Sequence, residues 1–246
     1  MIHYHGGPIT PDTCAIKAWS ARHAFISYAE PRQIGLAAEY CQSFALDNGA
    51  FSFWNAGKNV DWDGYYEWVD QWRCHPNFDF AVIPDVIDGS EEENDALLNA
   101  WPFPAHQGAA VWHVNESIER FAALAKAWPR VCIGSSGEYD VSKKEAFLQR
   151  AHEALSEIIN EHRQPICKVH GLRMLNPEIF TKLPLSSADS TNVARSIGMD
   201  NDWRGQYSPR SKETRTTILV ERIEGHNSAP SLAERPYQLD IWSAMQ

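Results

Sequence analysis

Two histidines near the start of the chain are the first residues whose type and spacing could do chemistry. His3 and His5 stand two apart in the run IHYHGG, which reads as a short β-strand ending in a glycine pair. Residues two apart on a strand point to the same side. Because neutral imidazole is a common metal ligand, the pair predicts either a metal site or one wall of a pocket for another ligand.

Three aspartates form a second group, since each follows a short apolar run. Asp47 ends SFALD, Asp85 follows AVIP, and Asp189 ends LSSAD. His113 and His170 lie at the ends of two further apolar runs. Each aspartate taken alone fits the start of a turn or polar loop. If the runs are strands of one barrel, however, all five side chains gather at a single mouth.

Backbone and aromatic groups accompany these side chains. The run Gly134-Ser135-Ser136-Gly137 fits a plain turn between a strand and a helix. It equally fits a turn that offers backbone N–H groups to an acceptor on a ligand. The aromatic residues that follow Asp47, beginning with Phe51, are expected to lie partly in the core and partly in a pocket wall.

The elements that must position these residues alternate along the chain. Apolar runs predict eight strands near 2–5, 24–28, 43–47, 78–84, 109–114, 130–134, 166–170 and 185–189. Helical patterns lie between them at 11–22, 31–41, 61–73, 90–101, 117–128, 142–162 and 176–183. Regular alternation implies parallel strands joined by right-handed crossovers. The sequence therefore predicts an α/β protein, a single-domain (β/α)8 TIM-like barrel, with a doubly wound open sheet as the second choice.

The domain organisation follows from a change in composition after Asp189. Residues 1–195 are predicted to form the barrel. Residues 196–246 are predicted to form a polar extension, with a loop, a last helix near 212–223 and a tail packed on the barrel. A length of 246 residues suits one large domain.

Composition limits the class of protein. No apolar run is long enough to span a membrane, and no signal peptide is recognisable. Five dispersed cysteines without a CxxC pair disfavour disulfides and a zinc knuckle, and they fit a reducing, cytoplasmic compartment. A net charge of −10 disfavours nonspecific binding to nucleic acid.

Several segments together resemble the tRNA-guanine transglycosylase superfamily. DNGAFSFW resembles the Asp-Ser-Gly-Gly-aromatic motif that follows its third strand, and IPDVI falls where the family recognises the base. The later matches are IGSSGEY to the glycine-rich loop, HGLRMLNPEIF to the strand-seven segment, and SADSTNVAR to the segment with the nucleophile. They occur in the family's order over roughly residues 40–195 of the barrel.

The features in which this sequence differs from the superfamily indicate which of its branches it resembles. The close-spaced cysteines of its zinc site are missing, and the chain is much shorter than a tRNA-modifying member. With HYHGG and VWHVNES, it is most similar to the small 7-deazaguanine DNA-modification transglycosylases of phages and bacterial islands. The resemblance implies exchange of guanine in DNA, rather than tRNA, for a free 7-deazaguanine such as preQ0. It implies no cofactor, a bacterial host cytoplasm if phage-encoded, and accessory proteins as further partners. The missing zinc-site cysteines predict that the protein binds no metal.

The resemblance also implies a role for each matched residue. Asp189 is the nucleophile at C1′, and Asp47 is the general acid/base. Asp85 reads the N–H edge of the base. The other expected contacts are backbone donors from Ser135, Ser136 and Gly137, a sandwich of the base between Phe51 and His170, and further pocket contacts from His113, His5 and His3.

A cluster of basic residues in the polar extension could contact phosphates. The cluster contains Arg195, Arg204, Arg210, Lys212 and Arg215, followed by Arg222. Interspersed glutamates make a solvated helix face the alternative.

Two other functions stay open at this stage. The first is a metal-dependent amidohydrolase, in which His3 and His5 would join His113 and Asp189 around a metal ion. That set is incomplete, because strand six has no histidine and strand four has no lysine. The second is a non-catalytic barrel that binds a nucleobase or a protein.

Overall fold

Eight parallel strands form one closed barrel in the described part of the chain. A computed structural model describes residues 1–135, 139–198, 203 and 208–234. Each strand pairs with the next in sequence, and the last pairs back to the first. The strands are β1 Ile2–Gly6, β2 His23–Ser27, β3 Ser43–Asp47, β4 Phe78–Val82, β5 Gly108–His113, β6 Arg130–Gly134, β7 Lys168–Gly171 and β8 Ser187–Ser190. The predicted (β/α)8 barrel is confirmed.

Helices connect the strands around the outside of the barrel. They are α1 Asp12–Trp19, α2 Ile34–Tyr40, α3 Ala50–Asn55, α4 Trp62–Trp72, α5 Glu91–Asn99, α6 Ile118–Ala127, α7 Lys144–Ser156, α8 Pro177–Phe180, α9 Asn192–Ser196 and α10 Lys212–Glu224. The sequence patterns do not predict α3 or α9, which have only six and five residues. None of the described helices combines the length and apolar character that crossing a bilayer requires.

Local capping explains where several helices begin. Ser90 and Glu93 form a reciprocal capping box at the start of α5, and Ser117 accepts a hydrogen bond from the backbone of Arg120 in α6. Such caps stabilise a helix by about 1 kcal/mol each. Helix α7 ends earlier than predicted, because residues 158–166 turn back through a bridge between Ile159 and Pro165.

Helix α10 lies in the 196–246 segment and packs against α1. The hydroxyl of Thr13 donates a 2.8 Å hydrogen bond to Glu213 near the start of α10. At its other end, Glu224 accepts from Arg22 at 2.8 Å and contacts His5 at 3.0 Å. The last helix therefore completes the helical layer beside β1.

The core has two layers, and strand alternation assigns each side chain to one of them. The inner layer fills the barrel with Tyr4, Phe25, Ala45, Phe80, Val82, Ala109, Val111 and Cys132. The outer layer, between strands and helices, contains large buried side chains such as Trp19 and Trp112. Asp47 lies two residues after Ala45 on β3, so both side chains point to the inner side of the barrel. Asp189 and Ser187 are also two residues apart and point to the same side of β8.

The amino-terminal end of the barrel is closed by a polar cluster. Both carboxylate oxygens of Asp79 accept 3.0 Å hydrogen bonds from the guanidinium of Arg130, and Tyr4 donates to the same carboxylate. Arg130 also lies 3.9 Å from the centre of the Phe80 ring. This arrangement leaves the carboxyl ends of the strands as the open end, where barrel enzymes carry their sites.

Candidate active site

A cavity of about 340 Å³ opens at the carboxyl ends of the strands. Asp47, Asp85 and Asp189 all line it, as do His113 and Ser135. The structure thus brings together the three aspartates that the sequence places at the ends of β3, β4 and β8. Its volume lies within the range of about 300–1,000 Å³ that is typical of small-molecule sites.

Asp189 is held through one of its two carboxylate oxygens. Its Oδ1 accepts a 2.9 Å hydrogen bond from the backbone N–H of Arg173, and Nε2 of His170 lies 3.2 Å from the same oxygen. Arg173 adopts a left-handed conformation with φ of 60° in the turn that follows β7. Within the described residues, no hydrogen bond reaches Oδ2, so this oxygen is the one left for a ligand.

His170 lies beneath Asp189 and does not line the cavity. Its Nδ1 is 2.8 Å from the hydroxyl of Ser187, and its ring stacks on Phe25 at 5.3 Å. Burial lowers the pKa of His170 below its ordinary value, although the hydrogen bond to Asp189 acts in the opposite direction. This placement corrects the prediction that His170 and Phe51 sandwich a bound ring, because the fully buried imidazole has no face toward the cavity.

Ser187 contacts His170 and His170 contacts Asp189, an arrangement that resembles the hydrogen-bonded triad of a serine hydrolase. Ser187, however, is only 2% exposed and does not line the cavity. A substrate in the cavity cannot reach its hydroxyl, so the set serves to hold Asp189 and cannot activate Ser187 as a nucleophile.

Asp47 is an acid suited to proton transfer near neutral pH. Burial raises its pKa to about 7, and the negative charges of Asp189 and Asp85 act in the same direction. Hydrogen bonds from Ser27 and from the backbone of Gly49 reduce this effect. Gly49 donates this hydrogen bond from a left-handed conformation with a φ of 77°.

Asp85 is fixed from two sides. Asn48 donates a 2.6 Å hydrogen bond to Oδ1, and Nε2 of His113 lies 2.9 Å from Oδ2. The second contact has the distance of an ion pair but not the alignment of a hydrogen bond. Burial lowers the pKa of His113, but Asp85 and then Glu116 raise it by more, so the net shift is upward. Asp85 keeps lone pairs on both oxygens for N–H donors of a ligand.

The rim of the cavity carries aromatic and basic groups. Phe51, which is 37% exposed, lies beneath the guanidinium of Arg173 at 3.9 Å from its ring centre. Arg195 also lines the cavity and is exposed. Ser135 reaches the cavity as predicted for the loop after β6, whereas Ser136 and Gly137 lie outside the described residues.

His3 and His5 lie outside the cavity. Tyr4, between them, fills the barrel interior, so both histidines face the opposite side of β1. His5 contacts Glu224 of α10 at 3.0 Å, and Nε2 of His3 contacts the carbonyl of His226 at 3.0 Å. This placement corrects the prediction that the two histidines are part of a pocket wall.

The residues of the predicted basic cluster lie in different environments. Arg195 is at the cavity, and Arg210 and Lys212 are exposed. Arg215 is buried and donates to the carbonyls of Ile197, at 2.7 Å, and Pro209, at 3.0 Å. This corrects its predicted role as a phosphate contact. Arg204 lies outside the described residues.

Sequence reasoning missed two groups that shape the site. Asn48 directly follows Asp47 in the chain, and its side chain anchors Asp85. Arg173 follows the glycine at the end of β7, and both its backbone and its side chain act at the cavity. The sequence marks Asn48 and Arg173 as candidate site residues only by their position, since each lies within two residues of the end of a strand.

The described residues do not support a metal centre. No group of three or more His, Cys, Asp or Glu side chains there is arranged to hold a metal ion. The histidine pair needed for an amidohydrolase faces away from the cavity.

Comparisons of this chain with protein-family models, with curated proteins and with solved structures find no match.

Proposed function

We propose that this protein is a base-exchange transglycosylase that replaces guanine in nucleic acid by a free 7-deazaguanine such as preQ0. One observation carries the proposal: Asp189, held through Oδ1, and Asp47, with a pKa of about 7, line the same cavity as the anchored Asp85. A nucleophile, a proton carrier and a base-reading carboxylate are the groups that such a reaction needs.

The first half of the reaction forms a covalent intermediate. Asp189 attacks C1′ of the target nucleotide through Oδ2, and the bond between C1′ and N9 breaks. Guanine leaves with the electron pair of that bond, and the proton held by Asp47 neutralises it. The product is an ester between Asp189 and the sugar, and Asp47 is left ionised.

The second half reverses these steps with the new base. Asp47 takes the N9 proton of the incoming 7-deazaguanine, and N9 attacks C1′ as the ester bond to Asp189 breaks. Two displacements at one carbon retain its configuration, as in retaining glycosidases. Asp47 ends protonated and Asp189 ionised, so the site is ready for another cycle.

Recognition of the base rests on Asp85. Guanine presents N1–H and N2–H donors on one edge, and a carboxylate accepts both. Asn48 fixes Asp85 on one side and His113 on the other, which keeps the carboxylate oriented before the base enters. Ser135 lines the same cavity and is proposed to offer its backbone N–H to the base oxygen.

Access to C1′ requires that the target nucleotide be flipped out of a duplex or be unpaired. Arg173 and Arg195 stand at the rim, where the phosphates of such a nucleotide would pass. They place two cations at the rim of a cavity in a chain of net charge −10. We propose DNA as the substrate, and tRNA is the alternative that the incorporation experiment distinguishes.

The decisive experiment measures incorporation of a labelled base. Single-stranded DNA containing guanine is incubated with the protein and labelled guanine or preQ0, with tRNA in parallel. We expect label in the DNA with the wild type and with Asp88→Asn, a change at an exposed aspartate. Asp189→Asn should fold and bind DNA without incorporating label. Binding without incorporation by the wild type would favour a non-catalytic barrel.

A second measurement identifies the nucleophile. Wild-type protein denatured during turnover without an incoming base should carry DNA covalently attached to the peptide around SADSTNVAR. An adduct on the peptide that contains Asp47 would reverse the two roles. Asp47→Asn should slow exchange by about 10²–10⁴-fold, the usual loss when general acid/base help is removed.

A further inference from the structure

We propose that His170 is a positioning residue that fixes Oδ1 of Asp189 and thereby selects Oδ2 as the atom that attacks the sugar. This inference rests on the proposed function, because it assigns the orientation of the nucleophile in that reaction. It uses a buried side chain for which the catalytic steps themselves have no role.

The positions of the hydrogens on Ser187 and His170 follow from which atoms can donate and which can only accept. An ionised carboxylate only accepts, so the 3.2 Å contact between His170 Nε2 and Asp189 Oδ1 requires hydrogen on Nε2. In a neutral imidazole Nδ1 is then an acceptor, and the hydroxyl of Ser187 donates to it at 2.8 Å. The downward pKa shift that burial gives His170 keeps the ring neutral at neutral pH.

Three aromatic side chains hold the imidazole in this orientation. Phe25 stacks on it at 5.3 Å, while Phe80 and Tyr4 approach edge-on at 5.2 and 5.9 Å. His170 is completely buried. Because the ring cannot rotate without repacking the barrel interior, its N–H points at a fixed position.

A second donor completes the constraint on the carboxylate. The backbone N–H of Arg173 reaches the same Oδ1 at 2.9 Å from the turn after β7. Two donors converging on one oxygen leave the other oxygen facing the cavity, where Asp189 is a lining residue. When Oδ2 becomes part of the ester, Oδ1 is a carbonyl oxygen that still accepts from both donors.

A neutral donor has a chemical advantage at this position. A protonated imidazole beside Asp189 would stabilise its charged form and make the carboxylate a weaker nucleophile. A neutral N–H orients the carboxylate at a smaller cost to its reactivity. The burial that keeps His170 neutral thus supports attack by Asp189.

Substitutions that keep or remove the donor test this role. The rate of covalent adduct formation in a single turnover and the Kd for DNA are measured for His170→Met and His170→Gln. We expect His170→Met to lower the rate by roughly tenfold or more, the effect of losing a hydrogen bond to a charged group. His170→Gln, which keeps an N–H near Nε2, should recover most of that loss. DNA affinity should stay unchanged in both variants.

Two outcomes of these rates would overturn the proposal. A His170→Met variant with the wild-type rate would show that the donor is dispensable. Equal losses in His170→Met and His170→Gln, with normal unfolding curves, would show that His170 serves packing alone.

Imidazole ¹⁵N chemical shifts give a test that does not depend on activity or on the stability of a His170 variant. We expect His170 to be neutral with hydrogen on Nε2 in the wild type, and its shifts to move in Asp189→Asn and in Ser187→Ala. A ring with hydrogen on Nδ1, or a charged ring at neutral pH, would refute the arrangement. If the wild type incorporates no base while these shifts are as expected, the proposed function fails and the buried arrangement stands.

Discussion

Asn48 donates one hydrogen bond of 2.6 Å to Oδ1 of Asp85 and another of 2.9 Å to the carbonyl of Ile83. Its own side-chain oxygen accepts from the backbone of Ala50 at 2.8 Å. One buried amide therefore ties the turn after β3 to the turn after β4, and it holds the carboxylate that faces the cavity.

Replacing Asn48 with alanine should destabilise the protein measurably. Asn48→Ala leaves the Ile83 carbonyl and Asp85 Oδ1 without this donor, and unsatisfied buried polar groups cost about 1–3 kcal/mol. Urea denaturation should show this loss in the free energy of unfolding. Asn99→Ala, at an exposed residue, should stay within about 0.5 kcal/mol of the wild type. A neutral effect of Asn48→Ala would mean that water replaces the amide.

The raised pKa of Asp47 predicts a defined pH dependence of stability. Folding raises this pKa from its ordinary value of 3.8 to about 7, so the folded state binds a proton that the unfolded chain has released. The group's favourable contribution is present at low pH and declines as pH rises between these two values. Asp47→Asn cannot lose that proton, so its stability relative to the wild type should increase with pH.

Urea denaturation at about pH 5 and about pH 8 measures this difference. The wild type should lose more stability across the interval than Asp47→Asn does. Asp88→Asn, at an exposed aspartate, should follow the wild type at both values. Parallel losses in all three proteins would show that Asp47 is ionised in the folded state at neutral pH.

Changing Asp85 should weaken recognition of the base. In Asp85→Asn the new amide places its NH₂ group against either Asn48 or the N–H edge of guanine, because all of these groups are donors. An unsatisfied donor in a closed site costs roughly 1–3 kcal/mol, so base exchange should fall at least about tenfold. Asp88→Asn should exchange at the wild-type rate. Unchanged kinetics in Asp85→Asn would remove Asp85 from the site.

Arg173 allows backbone and side-chain effects to be separated. Its φ of 60° is costly for any residue with a Cβ, by roughly 1–2 kcal/mol. Arg173→Gly should therefore be about 1 kcal/mol more stable than Arg173→Ala in urea denaturation. Both variants keep the N–H to Asp189 but lose the guanidinium over Phe51.

DNA binding by Arg173→Gly and Arg173→Ala tests whether the guanidinium contacts phosphate. Both should bind DNA more weakly, and each should reduce the slope of log affinity against log salt by about 1. A salt slope equal to that of the wild type would show that Arg173 does not contact phosphate.

The alternation of apolar runs and helical patterns was sufficient to predict the barrel. Because each strand-to-helix unit is short and regular, parallel closure was the simplest arrangement, and it placed Asp47, Asp85 and Asp189 at one end. The ends of elements were less predictable. Ile166 fits a strand by its apolar character, yet it is 51% exposed and lies before β7.

What the sequence alone determined was the set of strand ends and the residues that stand there. It could not determine which side of β1 faces the barrel interior, because both faces of a parallel barrel strand are buried and carry apolar side chains. The pairing of Tyr4 with Asp189 across β1 and β8, together with the packing of Tyr4 inside the barrel, sends His3 and His5 outward. Tertiary structure alone also decided the raised pKa of Asp47, since the burial and the charges of Asp189 and Asp85 that cause it come from strands far apart in the chain.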